Sequence, residues 1–324
     1  MRFKAIIVFL SLFFSQFSLA ADDVKVLASI KPLQLIAHDI VGTTGEVQLL
    51  LKPGASPHHY SMKPSDMRKL ADAGLVIWVG PEMEQFLAKS LRTVKTSTLQ
   101  MADNEEEHID HHTDDHADHA DHADHADHAD HADHADHADH ADEAADGHHD
   151  HHGEDLHYWL DPIEGLAFAD ALKDRLSLVY PQHAETFAAN YVRFEQNLRG
   201  LDAELHQQFI PVKSQGFFVF HDAWGHFVEH YGLNQLGYFT MDTNRKPGAR
   251  HLTEIRQQLE EQKAVCVFSE PQFKSSIVQA VTSGLPVNQG AIDPLATATD
   301  VRENGYASYL SSVAEAMVAC LSAR

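Results

Sequence analysis

Short apolar runs alternate with stretches of helical periodicity along the first half of the chain. The runs at 24–30, 46–51 and 75–79 predict strands, and the patterns at 33–41, 64–73, 83–92 and 164–179 predict helices. Because strands and helices alternate with short connections, this half is expected to form a parallel sheet covered by helices.

The second half repeats this organisation after one long helix. The stretch from His183 to Gln208 contains one helix-breaking residue, Gly200, and predicts a helix of about 26 residues, roughly 40 Å long. Strands are then predicted at 217–220, 235–241, 264–269 and 285–287, and helices at 251–262, from 273 onward and at 306–321. We therefore expect an α/β protein with two lobes, each with a parallel sheet covered by helices, joined by one long rigid helix.

The N-terminus has the features of a secretory signal peptide. Arg2 and Lys4 precede an apolar stretch at 5–14, and the small residues Ser18 and Ala20 precede a cleavage point after Ala20. The apolar stretch is too short for a spanning helix, which needs about 20 residues. We expect an exported protein without a direct membrane anchor.

These patterns divide the chain into four parts. We expect a signal peptide at 1–20, an N-terminal lobe at 21–180, a linking helix at 181–210 and a C-terminal lobe at 211–324. The N-terminal lobe is interrupted by a disordered His/Asp-rich loop at 103–155.

Charge is concentrated in that loop. The chain has 24 Lys and Arg against 48 Asp and Glu, for a formal net charge of −24, and the window 103–155 holds 21 of the acids and no base. This balance disfavours nucleic acid and anionic membrane surfaces as partners.

The loop is built on an exact repeat. Asp-His-Ala occurs nine times between Asp115 and Ala141, and such acidic low-complexity sequence does not fold alone. Imidazole suits zinc, copper and nickel, which predicts weak multi-site metal binding. The candidate accessory ligands are His116, His119, His122, His148, His149, His151 and His152. The alternative is a solvated linker that replication slippage has lengthened, with no selected metal role.

Three further histidines and one acid lie at the ends of predicted elements. His58 lies in a turn-rich loop, His157 follows the acidic loop, His221 ends a predicted strand and Asp293 follows another. Because ligands bind beyond the carboxyl ends of strands in open α/β sheets, these four residues are candidates for one shared site. Three His and a carboxylate match tetrahedral Zn²⁺. Taken singly, a histidine in such a setting is more often a structural hydrogen-bonding residue than a metal ligand.

The two cysteines are Cys266, in a predicted strand, and Cys320, in the last predicted helix. An even pair in an oxidising compartment favours a disulfide, which would join that helix to the strand. Two buried free thiols are the alternative.

Several short motifs in order carry a family resemblance. They are the loop 53–66, the acidic His-rich insertion, and the segments 157–162, 217–225, 267–273 and 292–295. With these motifs the chain resembles the periplasmic zinc-binding component of high-affinity zinc ABC uptake transporters. These are metal-binding proteins whose two lobes are joined by a rigid helix, and the cysteine pair matches the family's disulfide.

The resemblance implies specific ligands. The family's metal histidines fall on His58, His157 and His221, its acidic position falls on Asp293, and His59 takes the neighbouring non-ligating position. Related manganese and iron binders carry Glu at the third position, so His221 implies zinc. Whether Asp293 or a water is the fourth ligand stays open at this point.

One departure concerns an auxiliary site. Some zinc members carry a further histidine where Tyr238 stands in this chain. His226 and His230, spaced four residues apart on a predicted helix, are candidates to share a metal there, and the alternative is that both are ordinary surface residues.

The resemblance thus implies a non-enzymatic binding protein, expected as a monomer, that delivers Zn²⁺ transiently to a membrane-embedded ABC permease. The loop would serve as a low-affinity collector or sensor. One alternative is a zinc enzyme with an open coordination position, although no HExxH motif occurs in the sequence. Another is a periplasmic zinc buffer in which the repeat is the functional part.

Overall fold

The structure, a computed structural model, describes residues 23–102, 155–241, 247–261, 263–273 and 276–323. The expected signal peptide and its cleavage point lie outside the described residues. So do the repeat and the seven candidate accessory histidines of the loop.

The first half forms a four-stranded parallel sheet. Its strands are β1 (Val24–Ala28), β2 (Gly45–Leu49), β3 (Leu75–Trp78) and β4 (Ser97–Gln100), in the order β2-β1-β3-β4. Its helices are α1 (Lys31–Val41), α2 (Pro64–Asp72) and α3 (Gln85–Leu91). The sequence pattern missed β4, because only Leu99 of its four residues is buried.

The second half forms a matching sheet. Its strands are β5 (Gly216–His221), β6 (Asn234–Thr240), β7 (Cys266–Ser269) and β8 (Asn288–Ala291), in the order β6-β5-β7-β8 and all parallel. The helices that accompany it are α6 (Gly225–Tyr231), α7 (Ala249–Glu261), α8 (Ser276–Thr282) and α9 (Gly305–Ser322). Two parallel sheets covered by helices confirm the predicted fold class.

The predicted strand at 285–287 is wrong. Leu285 instead closes the turn after α8, where its backbone N–H donates to Thr282 at 3.0 Å. The strand begins at Asn288, whose N–H donates to Val265 at 2.9 Å. Because this edge strand reads Asn-Gln-Gly-Ala, it carries none of the apolar residues that signal a strand in sequence.

Two consecutive helices lie between the sheets, α4 (Pro162–Val179) and α5 (Ala184–Phe209). The 26 residues of α5 lie within one position of the range predicted from sequence. This helix packs on α1 and α4 and also on α9, with Phe187, Phe194 and Leu205 buried along it. A single apolar core therefore runs from β1 through α5 to α9.

The C-terminal helix is held by a disulfide and by a set of hydrogen bonds. Cys266 in β7 is bonded to Cys320 in α9. At the other end of α9, the Tyr306 hydroxyl donates to the carbonyl of Trp159 at 2.8 Å. The Trp159 indole donates in turn to the carbonyl of Pro294 at 2.7 Å. These bonds fix the segment around residue 159 against the loop that follows β8.

Candidate metal centre

Three histidine side chains from separate segments converge at one point. His58 lies in the loop between β2 and α2, His157 precedes a 3-10 turn at Tyr158–Leu160, and His221 is the last residue of β5. Each ring offers a nitrogen, and these nitrogens all lie within 4.8 Å of one another. The ring centroids are 5.0 to 5.6 Å apart. The structure thus brings together the three histidines that the sequence placed at element ends.

The three histidines line a cavity of about 250 Å³. His157 and His221 are buried and His58 is half-buried, so the rings have little access to water. The apolar residues Phe273 and Leu295 also line this cavity. An ion held here would exchange most of its hydration shell for imidazole nitrogens.

Asp155 holds the ring of His157. Its Oδ1 lies 2.7 Å from Nδ1 of His157 and accepts the backbone N–H of the same residue at 3.1 Å. Burial alone would raise the pKa of this carboxyl, but the bonds and proximity to His157 keep the pKa below its usual value. A carboxylate on Nδ1 fixes the proton there and leaves Nε2 as the electron-pair donor.

His221 is held in its neutral form. Burial, assisted by the neighbouring rings of His157 and His58, lowers its pKa from 6.5 to about 2. Because metals bind the neutral ring, no proton has to leave His221 when an ion arrives at neutral pH.

Glu270 is a site residue that the sequence interpretation did not single out. It follows β7, the strand next to β5, and lines the same cavity. Its buried carboxyl approaches Nδ1 of His221 at 3.9 Å, which is longer than a hydrogen bond. Burial raises its pKa to about 8. Its place after a central strand is the signal that would have identified it.

Asp293, a candidate for the fourth ligand, accepts several hydrogen bonds in this structure. Its Oδ1 accepts hydrogen bonds from Gln272 at 2.7 Å and from the backbone of Leu295 at 3.0 Å. Its Oδ2 accepts bonds from the backbone and the hydroxyl of Thr297. The carboxylate therefore organises the loop after β8, and it does not belong to the group of ring nitrogens.

His226 and His230 have different partners, although both lie on α6. Nε2 of His226 is 2.6 Å from the carbonyl of Asp155, and its ring packs on Tyr158. His230 instead lies between Asp161 and Asp202. A metal shared by these two histidines stays a prediction.

Comparison with known sequences identifies relatives along almost the whole chain. The family model described as "ZnuA: Zinc-uptake complex component A periplasmic" matches residues 26–320. The chain is 39% identical over 322 residues to the high-affinity zinc uptake system protein ZnuA of Yersinia pestis, covering 91% of each sequence. It is 42% identical over 312 residues to the protein of the same name from Haemophilus influenzae, covering 91% of this chain and 92% of the relative.

Solved structures show the same fold. A crystal structure of ZnuA superposes with a TM-score of 0.71 at 22% identity, covering 93% of this chain and all of the other. A zinc-bound deletion mutant of ZnuA superposes with a TM-score of 0.70, also at 22% identity. In the described residues, no helix is both long and apolar enough to cross a bilayer.

Proposed function

We propose that this chain, which belongs to the family of periplasmic zinc-uptake complex components, captures Zn²⁺ in the periplasm and delivers it to a membrane-embedded ABC permease. The observation that carries the proposal is the convergence of His58, His157 and His221 in one cavity. Three imidazole ligands suit a borderline-soft ion better than manganese or calcium.

In this proposal the three rings are the ligands, and water occupies the fourth position. Asp155 supports His157 through its contact with Nδ1, whereas the Glu270 carboxyl lies 3.9 Å from Nδ1 of His221 without a hydrogen bond. A carboxylate in the position of Asp155 orients the ring and strengthens its donor nitrogen. Asp293 positions the loop beside Glu270. An exchangeable fourth position would let a ligand on the permease side begin to withdraw the ion.

The export segment, the two lobes and the His/Asp-rich loop are assigned to the same role in zinc capture and delivery. The chain would be exported by its segment 1–20, cleaved after Ala20 and act as a monomer with lobes at 21–180 and 211–324 joined by the helix at 181–210. The His/Asp-rich loop would gather zinc weakly near the high-affinity site. Its repeated imidazole and carboxylate groups are the support for that assignment.

A zinc buffer differs from an uptake component in one measurable respect. Cells that lack an uptake component grow poorly in zinc-chelated medium and accumulate radioactive zinc slowly, whereas cells that lack a buffer still import zinc. We expect the wild-type gene to restore uptake in such a deletion strain and the His58→Ala gene to fail. Full restoration by His58→Ala at equal protein level would overturn the proposal.

A further inference from the structure

A second group of metal-binding side chains lies away from the three histidines, where α5 meets α6. Asp202 and His206 are one turn apart on α5, and His230 faces them from α6. Each offers one ligand atom, and these atoms all lie within 4.8 Å of one another. Nε2 of His230 is 2.8 Å and Nε2 of His206 is 3.8 Å from Oδ1 of Asp202.

Asp161 supports this group from behind. It is the N-cap residue of α4, and its Oδ1 lies 3.4 Å from Nδ1 of His230. A carboxylate on Nδ1 orients the ring and leaves Nε2 to face Asp202 and His206. The same carboxylate–imidazole pairing occurs at Asp155 and His157 in the first site.

The surroundings suit an ion that enters from solvent. The side chains of Asp202 and His230 are 18% and 14% exposed, while that of His206 is 45% exposed and forms the open side. Tyr231 closes the inner side, with its ring centroid 4.9 Å from that of His206 and 4.6 Å from that of His230. Two imidazoles and a carboxylate form the usual donor set for a borderline transition metal.

We propose that Asp202, His206 and His230 form a second divalent-metal site that takes Zn²⁺, with Asp161 as the residue that positions His230. The competing possibility is a purely structural network in which His230 bridges two aspartates. A metal site and a structural network differ in their response to zinc. Added zinc would protect His206 from chemical reaction in a metal site, whereas in a structural network it would leave the reactivity of His206 unchanged.

Chemical labelling of the full-length mature protein separates them without interference from the loop histidines. Diethyl pyrocarbonate modifies accessible imidazole nitrogens, and peptide mass spectrometry reports each histidine individually. With zinc chloride added, we expect labelling of His206 to fall at least about five-fold. His251 on α7, whose side chain is 46% exposed, is the matched control and should not change.

Two variants complete the test. Asp202→Asn should abolish the zinc protection of His206, whereas His221→Ala, which alters only the first site, should keep it. Labelling of His206 that is unaffected by zinc in the wild-type protein would overturn the proposal. So would protection that persists in Asp202→Asn, since the ion would then not be held by this group.

Discussion

Nδ1 of His157 lies 2.7 Å from Oδ1 of Asp155, and the other oxygen of that carboxylate accepts the backbone N–H of Gly225 at 2.9 Å. Gly225 opens α6, four residues after His221. The Asp155 carboxylate therefore connects His157 to the start of α6, the helix that follows His221. The relative placement of two proposed ligands depends on this aspartate.

Asp155→Asn should weaken zinc binding about 10- to 100-fold, because the uncharged amide no longer fixes the tautomer of His157. A competitive titration against a chelator of known affinity measures the change. Asp170→Asn is the matched control, since Asp170 is an exposed acid that pairs only with Lys173 among the described ion pairs. Equal affinity for Asp155→Asn and wild type would show that this carboxylate does not influence the site.

Replacing any one of His58, His157 and His221 with Ala should weaken zinc binding by at least about 100-fold, since each change removes a ligand from a three-nitrogen set. His59→Ala should leave the affinity within about threefold, because His59 is exposed and lies outside the group of converging nitrogens. Asp293→Asn should cost less than tenfold. A loss for Asp293→Asn as large as that for the histidines would make it a ligand after all.

Deleting residues 104–153 should remove weak zinc sites and keep one tight site. The deletion spares Asp155 and His157, so the proposed ligands and their supporting carboxylate remain. Calorimetric titration of the mature and shortened chains gives stoichiometry and affinity together. If tight binding disappears with the loop, the repeat is the zinc receptor and the buffer alternative gains priority.

Glu270 should make stability fall as pH rises through the neutral range. Its pKa is raised by burial from 4.5 to about 8, so between these values the native state holds a proton that the unfolded state has released. The free energy of unfolding then falls by up to about 1.4 kcal/mol per pH unit from this group. Glu270→Gln cannot titrate at this position, so its free energy of unfolding should rise relative to that of the wild type as the pH increases from 4.5 to about 8.

Urea unfolding of both proteins in the presence of a metal chelator measures this difference. The contribution of His221 to the pH dependence of stability has the opposite sign. Because its pKa is lowered, the native state binds fewer protons than the unfolded state below pH 6.5, so this contribution makes the free energy of unfolding rise with pH. That contribution is present in both proteins and largely cancels between them. A stability difference that does not change with pH would contradict the protonated state of Glu270.

Replacing Cys266 and Cys320 with Ser should lower the free energy of unfolding by about 2–4 kcal/mol. The bond closes a loop with a sequence separation of 54, and its loss frees the unfolded chain. Denaturant midpoints of the double variant and the wild type test this. Zinc affinity should stay within about threefold, because the packing of α9 on α1 and α5 remains.

The sequence predicted the two sheets well, because central strands such as β3 and β5 are buried at every position and carry mostly apolar residues. It predicted β4 and β8 poorly, since edge strands with few buried residues carry little hydrophobic signal. The start of α3 was also predicted inaccurately from sequence. The helix begins at Gln85 and not at Met83.

For the candidate site, the sequence identified the three histidines, because each lies at the end of an element that the pattern placed. It could not distinguish Asp293 from Glu270, since both follow strands and only their contacts differ. The Asp293 carboxylate accepts hydrogen bonds from Gln272 and Thr297, and these hydrogen bonds depend on tertiary structure. The pairing of His230 with Asp202 likewise joins residues 28 positions apart on two helices.

The position of α9 determines when the chain can complete its fold. This last helix packs on α1, and its Tyr306 and Tyr309 donate hydrogen bonds to carbonyls of Trp159 and Pro294. Contacts between α1 and α9 join parts of the chain that are far apart in sequence, and they form only once α9 is present. Until then, the parts of α1 and α5 that α9 covers stay exposed. Long-range contacts of this kind are typical of slower folding.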